Sequence, residues 1–291
     1  MLKLGVNTGL WSYAGFNLEE ACKDISNLGL KYVDLFTRLN CDPTTMTFDD
    51  MKKVSKKIKE YGLIVSSICS VTPVNFLDSE QNKTICLKYI NKNFELSEIL
   101  DTRLVLIKNG GKVLGKDYEK CWSESLEFMR NVCKEAKRKG LILILEMEPL
   151  MHSLTNSVAT SQRYLNDLGV DNFLMNIDIG HFFIVKDGPE EIKKLSGSIA
   201  HIHIVDDNGT NDTNDVLGTG KVPISDYINA CIESGIEDTC QRYNVPPVAA
   251  MEIGSFRRPV YQPRNEAKMS LEFLRENLSF LELKCRREQI E

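Results

Sequence analysis

Short apolar runs alternate with longer amphipathic stretches from one end of the chain to the other. The apolar runs, each bounded by turn residues, predict strands at Lys3–Asn7, Tyr32–Phe36, Ile64–Cys69, Arg103–Ile107, Ile142–Glu148, Phe173–Asp178, Ala200–Val205 and Val248–Ile253. Leu141-Ile142-Leu143-Ile144-Leu145 is apolar at every position, as a parallel strand covered on both faces requires. Between the runs, helices are expected to begin near Asn17, Thr47, Ser79, Asp117, Ser157, Pro189, Ser225 and Asn265. Several of these starts pair a capping side chain or a first-turn proline with acids in the next two or three positions, as in Asn17-Leu18-Glu19-Glu20 and Gly188-Pro189-Glu190-Glu191. Eight strand–helix units in unbroken alternation predict a closed (β/α)8 barrel.

No linker-like or low-complexity tract divides the 291 residues, so residues 1–291 are read as a single barrel domain. One segment differs in character: Asp206–Gly220 is rich in Asp, Asn, Thr and Gly, and reads as a long loop after the seventh strand. Loops on that side of a barrel build active sites, which makes this one a candidate substrate cover as well as a candidate surface loop.

Composition narrows the classes. A formal net charge of −5 without a sustained basic run argues against a nucleic-acid surface. No apolar run is long enough to span a membrane, and the N-terminus lacks the apolar centre of a signal peptide, so a cytoplasmic protein is expected. The nine cysteines form no CxxC pair and are read as reduced core residues. A homo-oligomer is compatible with this reading, although no interface stripe stands out.

Candidate chemistry gathers at the ends of the last four predicted strands. Glu146 and Glu148 end the fifth, Asp178 the sixth, His201 and His203 lie on the seventh, and Glu252 ends the eighth. Side chains alternate across a strand, so His201 and His203 share the inward face, as do Asn176 and Asp178. Converging carboxylates repel unless a cation or protons neutralise them. Three carboxylates with one imidazole suit a hard divalent ion, Mn²⁺ first, with Mg²⁺ or Co²⁺ as alternatives. Glu146 and Glu148 share a face, and parity leaves either free to be the fifth-strand donor.

The motifs Glu148-Pro149-Leu150, Asp178-Ile179-Gly180-His181, His201-Ile202-His203 and the strand-end Glu252, with Leu217-Gly218-Thr219-Gly220-Lys221-Val222-Pro223, resemble those of the xylose isomerase-like TIM-barrel sugar isomerases and epimerases, near the ketose 3-epimerases. The resemblance covers essentially the whole chain. It implies that Glu148, Asp178, His203 and Glu252 bind one divalent ion, that Glu148 and Glu252 also carry the proton, and that His181 contacts substrate. Trp11, Lys108 beside Asn109-Gly110-Gly111, and Arg257 beside Arg258 follow the first, fourth and eighth strands and are further candidate substrate contacts. The expected partner is a small sugar or sugar-derived molecule, isomerised or epimerised through an enediolate.

Two departures from the family bear on the substrate. The Glu-x-x-Asn-Arg continuation of ketohexose epimerases is replaced by Glu148-Pro149-Leu150-Met151-His152, and Val205-Asp206-Asp207-Asn208-Gly209 lacks their sugar-contacting arginine. Met151 and Leu154 would make that side of a pocket less polar, unless they pack beneath a loop. Elimination from a keto-sugar, cyclitol or oxidised glycoside is the alternative reaction, and a noncatalytic sugar-binding subunit is a further one. A DNA-repair member with three zinc ions would need more than the four histidines present.

Overall fold

The computed structural model describes residues 1–278. Eight parallel strands close into a barrel in chain order: β1 Lys3–Asn7, β2 Tyr32–Phe36, β3 Ile64–Cys69, β4 Leu104–Ile107, β5 Ile142–Glu146, β6 Phe173–Asp178, β7 Ile199–Ile204 and β8 Val248–Met251. The helices are α1 Gly9–Tyr13, α2 Leu18–Asn27, α3 Phe48–Glu60, α4 Glu80–Leu100, α5 Tyr118–Arg138, α6 Val158–Leu168, α7 Ile179–Ile184, α8 Pro189–Ile192, α9 Ile224–Glu233, α10 Ile236–Tyr243 and α11 Pro263–Asn277. No described helix is long and apolar enough to cross a membrane.

Local chemistry explains where the long helices begin. Asn17, Thr47 and Ser157 each accept a hydrogen bond from the backbone three residues on, and the residue there reaches back to the cap. Ser79 and Asp117 cap α4 and α5 in the simpler way. Each of these side chains satisfies a backbone N–H that the first turn leaves without a partner. The expected starts near Ser225 and Asn265 fall at Ile224 and Pro263, within two residues.

β5 is buried at every position, packed between the barrel interior and its helices, which its unbroken apolar run anticipates. Strand ends differ from expectation where they matter most. β5 stops at Glu146 rather than Glu148, and β8 at Met251 rather than Ile253; β7 is displaced one residue toward the N-terminus, and β4 begins at Leu104. The chain thus leaves the sheet ladder before Glu148 and Glu252. Glu252 still donates its backbone N–H to the Ile204 carbonyl at 3.0 Å and so stays beside β7.

The eight cysteines among the described residues are buried and free, and Cys285 lies outside those residues, as does the expected domain's last stretch, 279–291.

Candidate metal centre

The D-x-x-H motif has a simple physical basis. Asp178 ends β6 and caps α7, its Oδ1 accepting the backbone N–H of His181 at 2.9 Å. One carboxylate oxygen is thereby committed to the helix, and the motif fixes where His181 stands. The His181 Nδ1–H donates to the Met147 carbonyl at 2.8 Å, since a carbonyl can only accept. Its Nε2 then faces outward, 3.8 Å from Asp178 Oδ2 and 3.5 Å from Asp212 Oδ1.

At the mouth of the barrel Glu146, Asp178, His203 and Glu252 bring one donor atom each within 4.8 Å of the others. His203 Nδ1 stands 2.8 Å from Glu146 Oε1 and 2.6 Å from Glu252 Oε2. Close as these approaches are, neither ring nitrogen of His203 makes an aligned hydrogen bond. That is the arrangement of donors facing a shared point rather than one another.

Three expected donors, Asp178, His203 and Glu252, are brought together, with Glu146 where Glu148 was expected. The reason is the strand end. Glu146 pairs in register with Asn176 and still obeys the inward alternation, whereas Glu148 follows the end of β5. Asn176 Nδ2 donates to Glu146 Oε1 at 2.7 Å and holds it in place. Glu148 joins a neighbouring group with Glu146 and His181, and Lys108 at the end of β4 is ion-paired to both glutamates.

Electrostatics distinguish the acids. Burial, reinforced by the charges of Glu146 and Glu252, pushes Asp178 up to about 7. Burial alone would raise Glu146 as well, yet the Lys108 ammonium holds it well below the usual carboxylate range. Against its own burial, His203 is driven well above the ordinary imidazole range, chiefly by Glu252. An aspartate pushed upward by burial and neighbouring acids, and an imidazole pushed upward by the same carboxylates, mark a concentration of negative charge that a divalent ion would neutralise. The donor set fits a divalent ion on its chemistry: oxygen-rich, with one imidazole and no thiolate among the four.

The remaining expected contacts divide. Lys108 is in the site but engaged by two carboxylates. Arg257, on the loop after β8, is 51% exposed and ion-paired to Asp212, which links it indirectly to His181. Arg258 is held by Glu266 and the Asn214 carbonyl. Trp11 is a correction: at 0% exposure it belongs to the core, its indole N–H donating to Asp24 at 3.0 Å, so it offers no surface to a substrate. Met151 is exposed and Leu154 fully buried, which leaves neither in the role of a half-open pocket wall, and His152 is exposed.

Two neighbours were not anticipated. Asn7, at the end of β1, donates to Glu252 Oε1 at 2.9 Å and accepts from the Gly9 N–H at 2.8 Å. Asp34, from β2, lies beneath His203. An acid inside the apolar run Tyr32–Phe36 was the available signal, because an inward-facing charge on a barrel strand needs partners.

The loop after β7 is organised by Asp206. Its carboxylate accepts the backbone N–H groups of Gly218 at 2.9 Å, Gly220 at 2.8 Å, Val222 at 3.1 Å and Asp207 at 3.0 Å. The two glycines have separate reasons. Gly218 adopts φ +88°, while a Cβ on Gly220 would run into the Asp206 carboxylate.

Residues 22–276 match the family described as xylose isomerase-like TIM barrel, and the chain belongs to that family. The fructoselysine 3-epimerase of Escherichia coli O157:H7 is 23% identical over 232 residues, which cover 77% of this chain and 84% of that protein. Among solved structures, an L-ribulose 3-epimerase superposes with a TM-score of 0.72 at 19% identity, covering 95% of this chain and 94% of its own. The IolI protein with a bound zinc atom superposes with a TM-score of 0.75 at 16% identity, covering 96% and 100%. The chain is thus a sugar epimerase- and isomerase-like barrel with a candidate metal-binding group at its mouth.

Proposed function

We propose that this protein is a divalent-metal-dependent sugar isomerase or epimerase that moves a proton through an enediolate of a ketose or related sugar. The observation that carries the reading is the convergence of Glu146, Asp178, His203 and Glu252 at the barrel mouth in a family whose relatives include sugar 3-epimerases. Those four residues would hold the ion, Mn²⁺ by preference for an oxygen-rich set. When bound, it would act as a Lewis acid toward substrate oxygens and lower the cost of ionising the adjacent carbon.

The chain's own groups supply the rest. Glu146 reaches the site from β5 and Glu252 from the end of β8, with β6 and β7 between them, so the two carboxylates approach from different sides. One, ionised, takes the proton from carbon; the other, protonated, gives its own proton to the opposite face or to the neighbouring carbon, and exchange with solvent restores both. Lys108 keeps Glu146 ionised, as a base requires, while Asn7 orients Glu252. His181, fixed by the Met147 carbonyl, presents Nε2 as a contact for a substrate oxygen, and Asp212 and Arg257 bound the site on that side.

The test is proton exchange. Mn²⁺-loaded protein in D₂O, given L-ribulose, D-allulose and fructoselysine in turn, is expected to place deuterium on the carbon whose configuration or carbonyl changes. Glu146→Gln and Glu252→Gln should each lower turnover about a hundred- to ten-thousand-fold. Glu148→Gln should spare metal content while weakening the hold on Lys108. Release of water or an aglycone in place of exchange would overturn the isomerase reading in favour of elimination; a silent Glu146→Gln with a metal-free Glu148→Gln would reverse the assignment of the two glutamates.

A further inference from the structure

Beneath the candidate metal group lies a second, fully buried cluster. Asp34, His201 and His203 are all 0% exposed and bring one donor atom each within 4.8 Å of the others. Every oxygen of Asp34 is engaged. Oδ1 accepts the hydroxyl hydrogens of Ser66 and Ser67, both at 2.8 Å, and Oδ2 stands 2.7 Å from His201 Nε2 and 3.3 Å from His203 Nε2. Three strands, β2, β3 and β7, thus fix one carboxylate beneath one imidazole edge. The opposite edge, Nδ1, faces Glu146 and Glu252.

A neutral imidazole carries one proton on one of two nitrogens, and only the nitrogen without it can donate a lone pair to an ion. Once an ion takes up the charge of Glu146 and Glu252 on the Nδ1 side, the buried carboxylate 3.3 Å from Nε2 favours the proton there by its charge and leaves the Nδ1 lone pair toward the mouth. We propose that Asp34, held by Ser66, Ser67 and His201, is a positioning residue that selects the Nε2–H tautomer of His203 and so orients its Nδ1 for metal binding. This rests on the reading of Glu146, Asp178, His203 and Glu252 as the metal donors. The same three residues could instead be taken for a second ion site, but Asp34 already accepts the two serine hydroxyls and the His201 N–H. The geometry therefore favours a charged support, itself held by hydrogen bonds from Ser66, Ser67 and His201.

Zn²⁺ serves as a diamagnetic probe, with affinity measured by chelator competition on the full chain and His203 followed by ¹⁵N-histidine NMR. The wild type should bind one Zn²⁺ per chain at this group, with His203 Nε2 protonated and Nδ1 ligated. Asp34→Asn, isosteric but able to turn an amide N–H toward Nε2, should lower Zn²⁺ affinity about ten- to a hundred-fold while circular dichroism stays native. Unchanged affinity in Asp34→Asn, a His203 ligated through Nε2, or a second Zn²⁺ held by Asp34 and His201 would each overturn the proposal. Should Asp34→Asn fail to fold, the wild-type NMR spectrum decides alone. His203→Ala separates the two readings: if it keeps full Zn²⁺ affinity, the metal-group assignment fails, whereas its loss beside an indifferent Asp34→Asn condemns only the tautomer proposal.

Discussion

Asp178 shows how one carboxylate can serve two structural purposes and still be held unfavourably. One oxygen caps α7 and the other faces two further acids, so the native protein without metal keeps a proton on it up to about pH 7. An unfolded aspartate releases that proton near pH 4. Between those values the native state binds the proton and the unfolded state does not, so this group's contribution favours folding at the acid end and is lost as pH rises toward 7. The metal-free wild type should therefore lose stability relative to Asp178→Asn across that window, by up to about 4 kcal/mol. Urea unfolding of both proteins at stepped pH measures this directly; parallel curves would show that Asp178 does not carry the proton. Alternation along β5 could not separate Glu146 from Glu148, because residues two apart share a face. Hydrogen-bond register with β6 could, and register is a tertiary property. Trp11 misled for a related reason: nothing local distinguishes an indole beside a barrel mouth from one packed into the shell behind it.

At the level of elements, the long helices were readable because their starts are chemical events. Asn17, Thr47, Ser79, Asp117 and Ser157 all satisfy backbone donors within three residues of themselves. Strand ends carry no comparable signature, since a strand ends when its neighbour's ladder ends, and Glu148 and Glu252 stand just past that point. The short helices α1, α7 and α10 span too few turns to show a period. The segment after β7 is tightly packed at Gly220, where the Asp206 carboxylate leaves no room for a side chain. Gly220→Ala would drive a methyl into the Asp206 carboxylate, and we expect a loss of about 1–3 kcal/mol, read as a lower urea midpoint at unchanged slope. A neutral Gly220→Ala would mean that this segment yields easily.

Across the whole molecule, eight repeated strand–helix units left little choice of architecture, and the site follows from closure, since β1 meets β8 and carries Asn7 to Glu252. That contact joins residues 245 positions apart, a distance no local pattern reports. Closure also joins the loops. His181 after β6, Asp212 after β7 and Arg257 after β8 form one chain of contacts around a third of the rim. The loop between β7 and α9 sharpens the point. By composition, Asp206–Gly220 looks like an ideal target for a protease, yet the single Asp206 carboxylate ties its two ends together, accepting the backbone N–H of Asp207 at the start and those of Gly218, Gly220 and Val222 at the end. Cleavage requires about ten residues of chain to open into an extended form, and here that opening would pull against ends that the carboxylate pins together. Native protein should resist limited thermolysin digestion in this loop, with slow amide exchange at Gly218, Gly220 and Val222. Asp206→Ala should convert it into the first site cut, and a wild type nicked there as fast as the variant would show that the carboxylate is no clasp.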